Sequence, residues 1–175
     1  MRARLQPAAA PAIHELLSYR LGVISGLLSR SAALRYRREF GVSLWEWRAI
    51  ALLGARSPMS LNELAKGAGL DKSQMSRVAS SLVLRGLLLR GADANDGRGV
   101  SLVLSREGRR TCTALMRCAG ERDELLRACV PAGERGKLER LLTLLHEQAR
   151  ELYTRERAIA AGTKGKRARA SAMKG

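Results

Sequence analysis

Residues 60–90 read SLNELAKGAGLDKSQMSRVASSLVLRGLLLR, and residues 87–105 continue as LLLRGADANDGRGVSLVLS. The first stretch holds two short helical patterns joined by the glycine-bearing turn GAGL. A short turn of this kind is what two helices crossing at a steep angle require. The second stretch has apolar runs at residues 87–90 and 100–104 around a centre rich in Gly, Asp and Asn, which reads as a β-hairpin. Helix, turn, helix and hairpin in that order describe a winged helix-turn-helix, which lays one helix in a DNA major groove and a loop beside it. The expected partner is therefore double-stranded DNA.

Working outward, three capping boxes mark helix starts. Ser43 and Glu46 precede LWEWRAIALL, with Gly54 as its expected end. Ser60 and Glu63 open LNELAKGA, and Asp71 and Gln74 open a helix to about Arg85, with Gly86 just beyond it. In each box the first side chain accepts a bond from an orphan N–H while the fourth reaches back. Leu61, Leu64, Ala65, Leu70, Met75, Val78, Ala79 and Leu82 form the expected small core. Upstream, apolar residues at helical spacing from Ile13 to Leu34 predict a first helix reaching Phe40, with Ser29 to Ser31 as a point of interruption and Gly41 as its cap. Downstream, Ser105 caps a long helix that ends before Pro131. A last helix at residues 134–158 carries Leu138, Leu141, Leu142, Leu145, Ala149 and Leu152 at helical spacing.

The fold class is thus mainly α with a small β-hairpin wing: a winged helix-turn-helix plus a helical dimerisation layer. Residues 1–11 read as a flexible arm, residues 12–42 and 106–158 as the helical dimerisation region, and residues 43–105 as the DNA-binding domain. Residues 159–175 hold five basic side chains and no acidic ones, and read as a disordered basic tail. One reader of this size makes few base contacts, so a homodimer on a palindromic site is expected. The same long helices could instead simply cover the winged domain of a monomer.

Composition agrees with a nucleic-acid partner. The 175 residues carry a net charge of +16, and only 3% are aromatic. Readers of RNA and single strands usually display stacking aromatics, and none of the six falls in the reading segment. No run of about 18 apolar residues predicts a membrane span. Cys112, Cys118 and Cys129 are odd in number and lack metal-ligand spacing, which suits a cytoplasmic protein. Cys118 and Cys129 lie roughly 16 Å apart along one helix and cannot bridge within it. The two histidines sit in no metal pattern, and neither a phosphate-binding glycine loop nor a nucleophile elbow is present. No catalytic residue, metal or cofactor is expected.

Lys72, Ser73, Gln74, Ser76 and Arg77 occupy the first two turns of the recognition helix, the end that enters the groove. Gln74 suits adenine and Arg77 suits guanine. Gln74 is also the fourth residue of a capping box, and if folded back it reads no base. Arg98, near the hairpin tip, is placed to enter a narrow minor groove. Arg85 and Arg90 could touch phosphates or stay solvated.

LWEWRAIALL, LAKGAGLDKSQMSRVASSLVLRGLLLR and DGRGVSLVLSREG, in this order between two sets of long helices, resemble the MarR family of bacterial and archaeal regulators. The resemblance covers about Leu16 to Tyr153. It implies homodimers on palindromic operators, usually repressors, many of them released by a small phenolic or carboxylated ligand. It also implies that Asp96 orients Arg98. By the same resemblance the first two helices line a ligand pocket, with His14, Tyr19, Arg20, Tyr36, Trp45 and Arg48 as candidates for an aromatic acid or its thioester. A nonspecific architectural DNA protein would share the size and charge, but not the need for a capped reading helix.

Overall fold

The computed structural model describes residues 11–92 and 100–172, with side chains described except at residues 92, 100 and 163–172. The chain divides into two compact units, residues 1–120 and 121–175.

In the first unit, a 3₁₀ turn at Ile13–Glu15 precedes α1 (Leu17–Phe40). Then come α2 (Leu44–Ala55), β1 (Met59–Ser60), α3 (Leu61–Ala68), α4 (Lys72–Leu84), β2 (Leu88–Ala92), β3 (Val100–Leu104) and the start of α5 (Arg106–Ala128). The mainly helical winged architecture read from the sequence is the one found. The strands form one antiparallel sheet in the order β1-β3-β2. β1 is the strand the pattern did not announce, because two residues are too short to alternate; it pairs Met59 with Leu102 and Ser60 with Ser101.

All three capping boxes close. Ser43 Oγ accepts from Glu46 N at 3.2 Å while Glu46 Oε2 accepts from Ser43 N at 2.7 Å. Ser60 and Glu63 exchange the same pair of bonds at 3.3 and 2.9 Å. Asp71 and Gln74 do so at 2.7 and 3.1 Å. Between α3 and α4 the chain turns through Gly69 at φ 73°, a left-handed geometry that glycine adopts without a Cβ penalty.

Leu64, Ala65, Met75, Ala79 and Leu82 are buried as expected, and Leu61, Leu70 and Val78 pack at their margin. The core extends beyond that set, through Ile50 and Leu53 of α2, Leu88 and Leu102 of the sheet, and Leu115 of α5. On the α1 side, Tyr36 stacks on Trp47 with ring centroids 5.0 Å apart.

Several boundaries differ from the sequence reading. The first helical pattern is split at Leu16, which is extended (ψ 124°), and α1 then runs unbroken through Ser29 to Ser31. Gly54 does not end α2 but lies in its last turn. A Cβ there would stand 2.5 Å from Cys112 Sγ, so glycine serves the close approach of α5. Gly108 has a similar role, since a Cβ would fall 2.0 Å from the Leu87 carbonyl oxygen. Ser105 fastens the same junction: its Oγ donates to Gly86 O at 2.7 Å and accepts from Gly108 N at 2.9 Å.

The second unit contains the end of α5, a 3₁₀ turn at Ala132–Glu134 and α6 (Arg135–Ala172). Arg127 joins the two helices by pairing with Glu139 at 2.8 Å. The expected disordered tail is corrected here, because α6 continues to Ala172. Alanine, lysine and arginine dominate that stretch and are strong helix formers, which outweighs the absence of an apolar face. Residues 1–10 of the expected arm and residues 173–175 lie outside the described residues.

The crowding at Gly108 is testable against a second glycine of the same helix. Gly108→Ala should destabilise by about 2 kcal/mol or more, because backbone rather than a flexible side chain must give way. Gly120→Ala meets open space and should stabilise by up to about 1 kcal/mol through helix propensity. Urea unfolding of both variants checks the opposite signs.

Candidate nucleic-acid interface

The helix-turn-helix presents α4 with its N-terminal half toward solvent. Lys72, Ser73, Gln74 and Arg77 are exposed, Ser76 is half-buried, and Met75 and Ala79 face the core. That division follows from helical spacing: residues 75, 79 and 82 form the buried stripe, and 72, 73, 76 and 77 fall opposite or beside it. Lys72 and Arg77 make no side-chain hydrogen bond or ion pair among the described residues.

Gln74 has its carboxamide oxygen committed. Oε1 accepts from Asp71 N, and Ser73 Oγ is likewise turned inward, donating to Asp71 Oδ1 at 2.8 Å. The Gln74 N–H, followed by the Ser73 hydroxyl, holds the Asp71 carboxyl below its usual range. In the DNA-free chain, then, residues 71, 73 and 74 close the helix end, while Lys72 and Arg77 project from it.

The other end of α4 is anchored through Glu46. This carboxylate is only 6% exposed. Its Oε1 accepts from Ser81 Oγ at 2.8 Å and from Arg85 Nη1 at 3.2 Å, while Oε2 serves the α2 cap. Burial pushes the Glu46 pKa up, but the Ser43 N–H, the Ser81 hydroxyl and the Arg85 charge prevail, and the net shift is downward. Capping spacing identified Glu46 only as a local residue. Its partners 35 and 39 positions away carry no sequence signal beyond the i, i+4 spacing of Ser81 and Arg85. Arg85 is thus a brace between α2 and α4. Arg90 reaches back from β2 to donate to Ser80 Oγ at 2.9 Å. Asp96 and Arg98 lie outside the described residues.

The six ligand candidates fall in three places. His14, Tyr19 and Arg20 are exposed around the start of α1. Tyr36 is buried against Trp47, whose indole Nε1 has no hydrogen-bond partner. Trp45 and Arg48 sit together on α2, the guanidinium carbon 4.7 Å from the ring centroid. Of the thiols, Cys112 and Cys118 are buried and Cys129 is exposed; burial raises the Cys112 pKa. Among the described residues, no cluster of His, Cys, Asp and Glu could hold a metal, and no helix is long and apolar enough to cross a membrane.

Residues 40–99, which span α2, the helix-turn-helix and β2, match the model of the MarR family. This segment is a MarR-family winged helix-turn-helix. Solved structures extend the likeness to most of the chain. A MarR/EmrR family transcriptional regulator from Acinetobacter sp. ADP1 superimposes with a TM-score of 0.72 at 23% identity, covering 81% of this chain and 99% of that one. A MarR family transcriptional regulator from Silicibacter pomeroyi DSS-3 gives 0.66 at 28% identity, covering 78% and 99%. The MepR–DNA complex of S. aureus gives 0.69 at 20% identity, covering 76% and 98%, and shares the fold. No curated protein sequence matches the chain. The MarR-like winged segment is therefore a transcription-regulator fold, and its α4 is the helix such a fold offers to DNA.

Glu46→Ala should cost about 3 kcal/mol, the lower end for breaking a buried pair, since Arg85 is partly solvated. Because the folded-state pKa is depressed, the carboxylate's contribution is complete above the ordinary carboxylate value and is lost as pH falls through the folded one. The stability gap between the protein and Glu46→Gln should therefore narrow in acid between about pH 5 and pH 2. Denaturant midpoints across that range would show it.

Proposed function

We propose that the chain is a homodimeric, sequence-specific DNA-binding transcriptional regulator. In this reading it represses from a palindromic operator and is released by a small aromatic acid or related thioester. One observation carries the reading: a capped recognition helix on a winged frame, with Lys72 and Arg77 exposed and unengaged at the end that meets DNA. MepR, which shares the frame, has been solved with DNA.

Arg77 pairs with guanine, Lys72 meets a phosphate or a base, and Ser76 approaches a base edge. With Ser73 and Gln74 engaged by Asp71, base discrimination rests mainly on Arg77. Arg98, oriented by Asp96, enters the adjacent minor groove. Dimerisation is supported by apolar side chains that each unit leaves exposed. Leu17, Ile24 and Leu27 on α1 are 54%, 54% and 57% exposed, and Leu141, Leu142 and Leu152 on α6 are 48%, 47% and 54% exposed. Patches of that kind usually mark association surfaces. A cytoplasmic location follows from the same role.

The net charge of +16 favours a second reading, a nonspecific architectural DNA protein. The specificity ratio separates the two. A regulator should prefer its operator by about a thousandfold or more over unrelated DNA. Footprinting of the DNA flanking the gene, against excess competitor at physiological salt, should reveal a protected palindrome. Uniform protection would replace the regulator with the architectural protein.

Within a protected site, Arg77→Ala should cost about 1–3 kcal/mol and relax preference at one base pair per half-site. Gln74→Ala should weaken all sequences alike and leave base preference unchanged. Arg98→Ala should lower operator affinity about tenfold without unfolding the protein, by the loss of a charged groove contact. Selection from randomised operators, followed by titration, measures all three.

A further inference from the structure

The groove between α2 and α3 has the chemistry of a small-molecule site. It encloses about 290 Å³ and is lined by Trp47, Arg48, Ala51, Leu52, Ala55, Gly67 and Ala68. That is near the lower limit of about 300 Å³ for ligand cavities, enough for a compact organic molecule. The lining is apolar except for one guanidinium. Gly67 keeps the wall thin, since a Cβ there would meet Leu52 Cδ1 at 3.2 Å.

Arg48 is the anomaly. Arg35, Arg56 and Arg85 each find a carboxylate, in Glu39, Glu63 and Glu46. Arg48 has no carboxylate partner among the described residues. Its one hydrogen bond is long, from Nη1 to Ala68 O at 3.5 Å, and it otherwise lies over the face of Trp45. A half-buried cation beside apolar surface gains most from an anion that brings its own apolar body. Of the two partner types in such a groove, a neutral apolar molecule would leave this charge unanswered, and an inorganic anion would leave the apolar wall wet.

We propose that the α2–α3 groove binds a small aryl monocarboxylate, its anion held by Arg48 and its ring against Ala51, Leu52, Ala55 and Gly67. The proposal rests on the ligand-released reading above and gives that ligand a place within the winged domain. It also gives a route to release. Ala68 ends α3, one residue before the Gly69 turn into α4. A carboxylate on Arg48 takes the guanidinium from Ala68 O and wedges α3 away from α2. The far end of α4 stays tied to Glu46, so the displacement reaches the N-terminal end that carries Lys72 and Arg77.

The chain's two tryptophans both flank the groove, so their fluorescence reports on it. Benzoate, phenylacetate and 1-naphthoate are titrated into the full-length protein, with benzamide as the neutral control. The expected result is saturable quenching by at least one acid and none by benzamide, weakened tenfold or more in Arg48→Gln and in Ala51→Phe, which fills the groove. Arg48→Lys should recover part of the affinity. Unchanged binding in Arg48→Gln, or no saturation with any of the acids, overturns the proposal. The same acids are then added to an operator complex. Loss of affinity in the protein but not in Arg48→Gln supports the route to release, and an indifferent complex overturns that route. Absence of sequence-specific DNA binding would instead sink the regulator reading, leaving the groove to be judged by fluorescence alone.

Discussion

The placement of the recognition helix depends on one buried carboxylate. Glu46 closes the N-terminus of α2 with one oxygen and holds Ser81 and Arg85 of α4 with the other. A carboxylate this enclosed is costly unless its lone pairs are filled. Here they are filled by a backbone N–H, a hydroxyl and a guanidinium, and the cost becomes a constraint. If α4 slid or rotated, one of those donors would be lost and a charge would be left uncompensated. Local capping and long-range docking are therefore a single interaction, and α4 has one orientation relative to α2.

Close packing carries that constraint onward. Gly54 and Gly108 are the points where α2 and the β2 approach meet α5 with no room for a methyl group. Ser105, tied to both Gly86 O and Gly108 N, fixes the start of α5 to the exit from α4. The core that results is shared by the helices and the sheet, so the wing strands and α4 rest on the same layer of Leu82, Leu88, Leu102 and Leu104.

The frame was legible in the sequence where local chemistry decides it. Each of the three capping boxes, at Ser43, Ser60 and Asp71, is a four-residue signal and marks its helix start to the residue. The boundaries that moved have nonlocal causes. Gly54 looks like a helix end but is a packing contact with residue 112, and β1 exists only because β3 lies beside it. The site was partly legible for the same reason. Spacing along α4 finds Lys72, Ser76 and Arg77, yet it cannot say that Gln74 folds back on Asp71, since the same residue serves either purpose. Nor could it find Glu46 as the anchor of α4, or Arg48 as a guanidinium without a carboxylate. Both are facts about which charges meet across the fold.

Ser60 belongs at once to two structures. It is the last residue of β1, paired with Ser101 of β3, and it is the residue that caps α3 through Glu63. Sheet and helix-turn-helix thus have no hinge between them at this point, because a rotation of one would have to break either a ladder pairing or a cap in the other. The consequence is entropic. Two surfaces joined in this way arrive at a binding partner as one rigid body, and the orientational freedom that two independent contacts would each surrender is given up once.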